Sequence, residues 1–210
     1  MRRTWSFWLL LFLFGIVVPV AAQEEYPDSG QEDEMPTINW DSYVPDLYQA
    51  GDKTFPISVG VVFPTVFTGK GLEGGNSSNI GLGWMLTLGF NYFLDSHWFL
   101  GGELGGMFAG TGGKNMVYII SFGPRVGYQL EFGRFEVPFT LMVGAAPQKY
   151  LEKGYFGLII KPGASAYFRF NSDWSFGLNA HWWMLPQWPA NGKDVVGNFL
   201  QLSLSARYHF

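Results

Sequence analysis

The sequence has no cysteine among its 210 residues and only three histidines. Without Cys there is no disulfide scaffold, no thiolate metal site and no lipid-bearing Cys of the lipoprotein kind. His97, His181 and His209 are scattered, so neither a metal nor any other cofactor is expected. Charge is scarce: 14% of residues are Asp, Glu, Lys or Arg, with a formal net charge of −4. No basic stripe exists, so nucleic acid is not an expected partner. After residue 22 there is no run of 18 apolar residues, which excludes a spanning helix there. A catalytic set is missing as well. His97 falls in a turn, His209 stands at the last rung of the chain, and His181 is followed by Trp182 and Trp183 rather than a nucleophile. Gly-Lys-Gly at 69–71 lies between no strand and helix and reads as loop, not a phosphate cradle.

Glycine and aromatic rings are what the chain has in excess: 28 Gly, 20 Phe, 10 Tyr and 9 Trp. Gly inside a helix costs about 1 kcal/mol relative to Ala, so a helical bundle is disfavoured. The composition is too apolar for a disordered chain and too aromatic for an ordinary soluble domain.

Residues 1–22 read as a cleaved signal peptide. Arg2 and Arg3 precede the apolar run Trp5–Val18, and Val20-Ala21-Ala22 supplies the small residues of a cleavage site. Residues 23–54 hold nine of the 17 acids and one base, Lys53. Their first half reads as a disordered periplasmic leader, while Ile38 to Tyr48 could pack at a barrel rim. An exported chain this apolar, without a spanning helix, points to a closed barrel. That is the other structure that satisfies its backbone in lipid.

From Phe55 the dominant period is two, in eight segments: 55–67, 80–93, 98–109, 116–131, 135–146, 156–170, 174–184 and 198–210. Each reaches the roughly 9–11 residues of a tilted transmembrane strand. The turns 95–97, 133–134 and 171–173 are tight. The stretches 69–79, 110–115, 147–155 and 185–197 read as longer loops, with Trp188 placed to fold over the mouth. The expected fold is therefore all-β: an eight-stranded antiparallel transmembrane up-and-down β-barrel over 55–210.

Charge tests the phase of this assignment. Glu103, Arg125, Glu131, Glu136, Lys161, Arg169 and Arg207 all fall opposite the large apolar residues. Arg or Lys facing lipid near the midplane costs roughly 2–4 kcal/mol, and a lumen tolerates it. Aromatics bracket the tight turns: Phe93 with Trp98, Phe132 with Phe135, and Phe170 with Trp174. They read as one interfacial girdle, with Phe67, Phe108, Tyr118, Phe156 and Trp182 as the other.

The last strand alternates Leu202, Leu204, Ala206 and Tyr208 and ends on Phe210. With the eight-segment pattern, this resembles small eight-stranded bacterial outer-membrane proteins of the OmpX, OmpA-barrel and OmpW families. The resemblance implies an outer-membrane location and lipid contact. It also implies that the barrel-assembly machinery reads Leu202, Leu204, Ala206, Tyr208 and Phe210.

Inward positions divide by depth. Val62, Met85, Met107, Ile119, Met142, Ile159, Trp183 and Phe199 read as an apolar chamber in the outer half. Glu103, Arg125, Lys161 and His181 read as a polar plug or gate. Such a chamber suits a small apolar molecule better than water, and the OmpW-like resemblance implies the same. Pro64, Pro124, Pro138 and Pro162 interrupt strands, so each sits at a bulge or leaves a carbonyl unpaired. Pro124 or Pro162 is a candidate lateral opening. The rival reading is a structural or adhesive barrel that meets a host or matrix ligand through its loops and transports nothing.

Overall fold

The computed structural model describes residues 48–69, 80–112, 115–150, 153–188 and 195–210. The expected signal peptide at 1–22, the expected leader up to residue 47, and residues 70–79 and 189–194 of the loops expected at 69–79 and 185–197 lie outside these.

Eight strands account for nearly all of the described chain: β1 (Lys53–Gly69), β2 (Ile80–Phe93), β3 (Trp98–Thr111), β4 (Met116–Phe132), β5 (Phe135–Tyr150), β6 (Lys153–Arg169), β7 (Trp174–Gln187) and β8 (Val195–His209). Each pairs antiparallel with its neighbours in sequence. β1 closes on β8, from Thr54↔His209 to Gly69↔Val195. The chain is thus a transmembrane up-and-down β-barrel, closed so that no strand edge is left to hydrophobic surroundings.

Alternation explains why these segments become barrel staves. Along β2, Trp84, Leu86, Leu88 and Phe90 are exposed, while Met85, Thr87, Gly89 and Asn91 are buried. An eight-stranded barrel has an interior just wide enough for side chains to fill. Small and polar residues therefore occupy the inside, and bulky rings go out. The seven charges of the expected segments all follow the inward phase, and Glu131 alone among them is half-buried rather than buried; Lys53 and Lys149, which the observed strands add near their ends, are exposed.

The two ends of the barrel differ. At the turn end, β2–β3, β4–β5 and β6–β7 are joined by 94–97, 133–134 and 170–173. Asp95 Oδ1 accepts the main-chain N–H groups of His97 and Trp98, each at 2.7 Å. Asn171 Oδ1 does the same for Asp173 and Trp174 at 3.0 and 2.7 Å. Gly133 has φ of 61°, a left-handed conformation that favours glycine. At the loop end, the connection expected over 147–155 shrinks to residues 151–152, because β5 and β6 pair up to Tyr150↔Lys153. Likewise β7 continues to Gln187, so Leu185 is an inward strand residue, 1% exposed, and not a loop residue.

Two girdle positions are corrected by the strand phase. Phe93 follows outward Tyr92, so it points inward and is fully buried. Phe67 lies beyond a register shift between Pro64 and Phe67. The extra residue turns Val66 outward and Phe67 inward, where its ring meets Phe199 edge-on at 5.5 Å.

Candidate functional site

The lumen is built in three layers. The floor, at the turn end, is an aromatic and ionic plate. Tyr48, just before β1, is 3% exposed and stacks on Phe93, which contacts Phe99. The Tyr48 hydroxyl lies 3.3 Å from both Glu136 carboxylate oxygens and 3.0 Å from His209 Nδ1. Glu136 is also bound by Arg207 at 3.2 Å and Arg169 at 3.6 Å. Arg207 Nη1 donates to Gln129, and its guanidinium lies 3.7 Å from the Tyr167 ring centroid. Burial holds the Tyr48 phenol in its neutral form, with its pKa well above the ordinary value.

The middle layer is an ion cluster on one carboxylate. Arg125 Nη1 binds Glu103 Oε2 at 3.0 Å, and Lys161 Nζ binds the other oxygen, Oε1. Arg125 Nη2 also donates to Asn91. Glycine makes room here. A Cβ on Gly89 would come 2.7 Å from Arg125 Nη2, and one on Gly163 would overlap the His181 ring. His181 Nε2 lies 3.3 Å from the Thr140 hydroxyl. Below the cluster, Asn179 Nδ2 donates to Ser58 and Ser203.

The upper layer is apolar. Val62, Met85, Met107, Ile119, Met142, Ile159, Trp183 and Phe199 fall in one cluster with Ala109, Val117, Ala146 and Leu185. None of these side chains is more than 3% exposed. The expected chamber is therefore filled by its own side chains, as the narrow radius of eight strands requires. Trp183 joins the two upper layers: its indole N–H donates to Gln201 at 2.8 Å, and Lys161 Nζ sits 4.7 Å from its ring centroid. At the loop-end rim the Trp188 ring is exposed, and its main-chain N–H donates to the Tyr155 hydroxyl.

The strand prolines interrupt ladders in a regular way. Pro124 keeps its partner Gly102 on β3, but on the β5 side the ladder skips from Phe122↔Ala145 to Arg125↔Met142. Pro162 keeps Leu141 on β5, but on the β7 side pairs skip from Ile160↔Met184 to Gly163↔His181. Pro138 does the same on the β6 side. Register is unchanged across all three, so these prolines make no bulge; each removes rungs from one seam by lacking an N–H. Pro64 alone of the four stands at a register shift. Beyond Ile160↔Met184 the described parts of β6 and β7 share no further pairs.

Leu202, Leu204 and Phe210 are exposed on the outer wall, with Ala206 and Tyr208 half-buried beside them. Among the described residues no cluster of three His, Asp or Glu side chains could hold a metal. The floor was the part least visible from sequence. Tyr48 ends the stretch Ile38 to Tyr48 expected at a barrel rim, but no local pattern named its partners in the lumen.

A protein-family model matches residues 28–208. The chain belongs to that family. Its fold is the small outer-membrane β-barrel: it superposes on the outer membrane protein OprG of Pseudomonas aeruginosa with a TM-score of 0.50 and 12% identity. That alignment covers 78% of this chain and 97% of OprG. Two uncharacterised proteins of Treponema pallidum (strain Nichols) are related to this chain in sequence. One is 30% identical over 124 residues, covering 59% of this chain, and the other 34% over 61 residues, covering 29%. The chain spans 57% and 21% of the lengths of these two relatives.

Proposed function

We propose that this is an outer-membrane barrel that blocks water and ions and takes up small apolar molecules into its upper layer. The single observation that carries the reading is the division of the lumen. An apolar layer with three methionines, Met85, Met107 and Met142, stands above a closed ion cluster. Methionine side chains are unbranched and repack readily around irregular guests, so a filled layer of this kind can still yield. The cluster below stops aqueous flow, because each cation is pinned to the same carboxylate. A guest leaves or enters sideways at the β6–β7 seam, where Pro162 removes rungs and pairing ends at Ile160↔Met184. In the same proposal residues 1–22 are cleaved on export, the turn end faces the periplasm, and the assembly machinery reads the strand ending in Phe210.

The test compares two measurements on the protein in lipid. Planar-bilayer conductance is expected to stay near zero, while liposomes carrying the barrel accumulate an apolar fluorescent probe. A disulfide between Ile160→Cys and Met184→Cys would lock the seam and is expected to abolish accumulation. Uptake that persists with the seam locked removes the lateral route; absence of uptake altogether removes the passage reading.

One observation favours a second reading, a structural or adhesive barrel acting through its loops. The upper layer has no open space among the described residues, with side chains 0–3% exposed. Loss of host-matrix binding on loop exchange, with probe uptake absent throughout, would favour it.

A further inference from the structure

Charge does not balance at the ion cluster. Glu103 is the one carboxylate, among the described residues, that Arg125 and Lys161 contact, so two cations share one anion. All three side chains are nine-tenths or more buried. An uncompensated charge in such surroundings is expensive, and buried charges are ordinarily paired.

A small, largely enclosed cavity lies against this cluster. It is bounded by Ser58, Thr87, Glu103, Arg125, Asn179 and His181, among others, and measures about 20 Å³. That is enough for one water-sized particle. Three polar atoms on side chains that line it have no hydrogen-bond partner: Arg125 Nε, a donor; His181 Nδ1, a donor when the ring proton sits there; and Asn179 Oδ1, an acceptor, which an anion does not satisfy. The Thr87 hydroxyl adds a donor that can turn toward a guest, whereas the Ser58 hydroxyl already donates to Ser205. A water would satisfy some of these atoms but leave the extra positive charge untouched. A small monovalent anion accepts from Arg125 Nε and the His181 ring and neutralises the cluster, which a water does not.

We propose that this cavity is a binding site for one halide-sized anion, enclosed when the barrel closes and acting as the missing counter-charge to Arg125 and Lys161. The site is independent of any passage of apolar molecules, because it lies below the apolar layer and contacts none of its methionines. Each of the two contributing facts is needed. The cavity alone would hold water, and the charge excess alone would have nowhere to place an ion.

The experiment refolds the full-length mature chain into detergent micelles in sodium chloride, sodium bromide or sodium gluconate at one ionic strength. The urea midpoint is expected to be higher in chloride and bromide than in gluconate, which is too large to enter. Crystals grown from the bromide preparation are expected to show an anomalous bromine peak beside Arg125 and His181. Lys161→Met, which brings the cluster to neutrality, is expected to abolish the halide dependence. Glu103→Gln, which adds a positive charge, is expected to enlarge it. Should either variant fail to fold, the wild-type anomalous peak still decides. Density for a water with no bromine signal, or equal midpoints in all three salts, would overturn the proposal.

Discussion

Tyr48 lies flat on Phe93, with ring centroids 3.9 Å apart and planes 6° from parallel. The contact joins the chain ahead of β1 to the last residue of β2 and makes the floor of the lumen continuous. Truncation to Tyr48→Ala should lower unfolding free energy by roughly 3–5 kcal/mol, the usual cost of emptying an aromatic site. Tyr48→Phe keeps the ring and loses only the hydroxyl bonds to Glu136 and His209, so about 1 kcal/mol is expected. Urea titration followed by tryptophan fluorescence in micelles measures both.

The same phenol makes stability depend on alkaline pH. Burial raises the Tyr48 pKa in the folded barrel above that of an unfolded tyrosine, which is about 10. The stabilisation is then fully present below about pH 10 and is lost as pH rises further, because the unfolded chain ionises first. Wild type should weaken over that range more steeply than Tyr48→Phe. Equal slopes would show that the phenol is not held neutral in the floor.

Removing the shared carboxylate should be severe. Glu103→Gln leaves Arg125 and Lys161 facing one another in the lumen, and stranding buried charges costs roughly 3–5 kcal/mol. The measurable outcome is a large drop in urea midpoint. A change within error would mean that water reaches the cluster freely.

The outer wall gives the opposite kind of prediction. Leu204 is 64% exposed and pairs with Val59 and Leu178 along the middle of the wall. Leu204→Arg should cost roughly 2–4 kcal/mol when the barrel unfolds from lipid vesicles. Its neighbour Ser203 faces the lumen, so Ser203→Ala should cost only the bonds its hydroxyl accepts from Asn179 and Gln201.

Strand phase was the most legible feature of the sequence. Met85, Met107 and Trp183 could be placed in one inward layer because a period of two leaves only two faces to choose between. What failed were the places where period two breaks or carries no information. Phe67 changed face because the shift after Pro64 is invisible in a single strand. Pro147 suggested a loop, yet it pairs with Phe156 inside the β5–β6 ladder. The pairing of Glu103 with Arg125 followed from adjacency on β3 and β4. Lys161 comes from β6, across the lumen, and no local pattern brings it to the same carboxylate. Filling of the apolar layer depends on side-chain volumes summed over several strands, which inspection of one strand at a time does not reveal.

The Tyr48 hydroxyl also has a meaning for the order of assembly. It bridges Glu136 on β5 and His209 at the end of β8, while the ring rests on β2. Those three staves, none adjacent to another, face one lumen only after the first and last strands have met. The phenol therefore cannot find its full set of partners in any half-zipped intermediate, and its docking marks the moment at which the cylinder is complete.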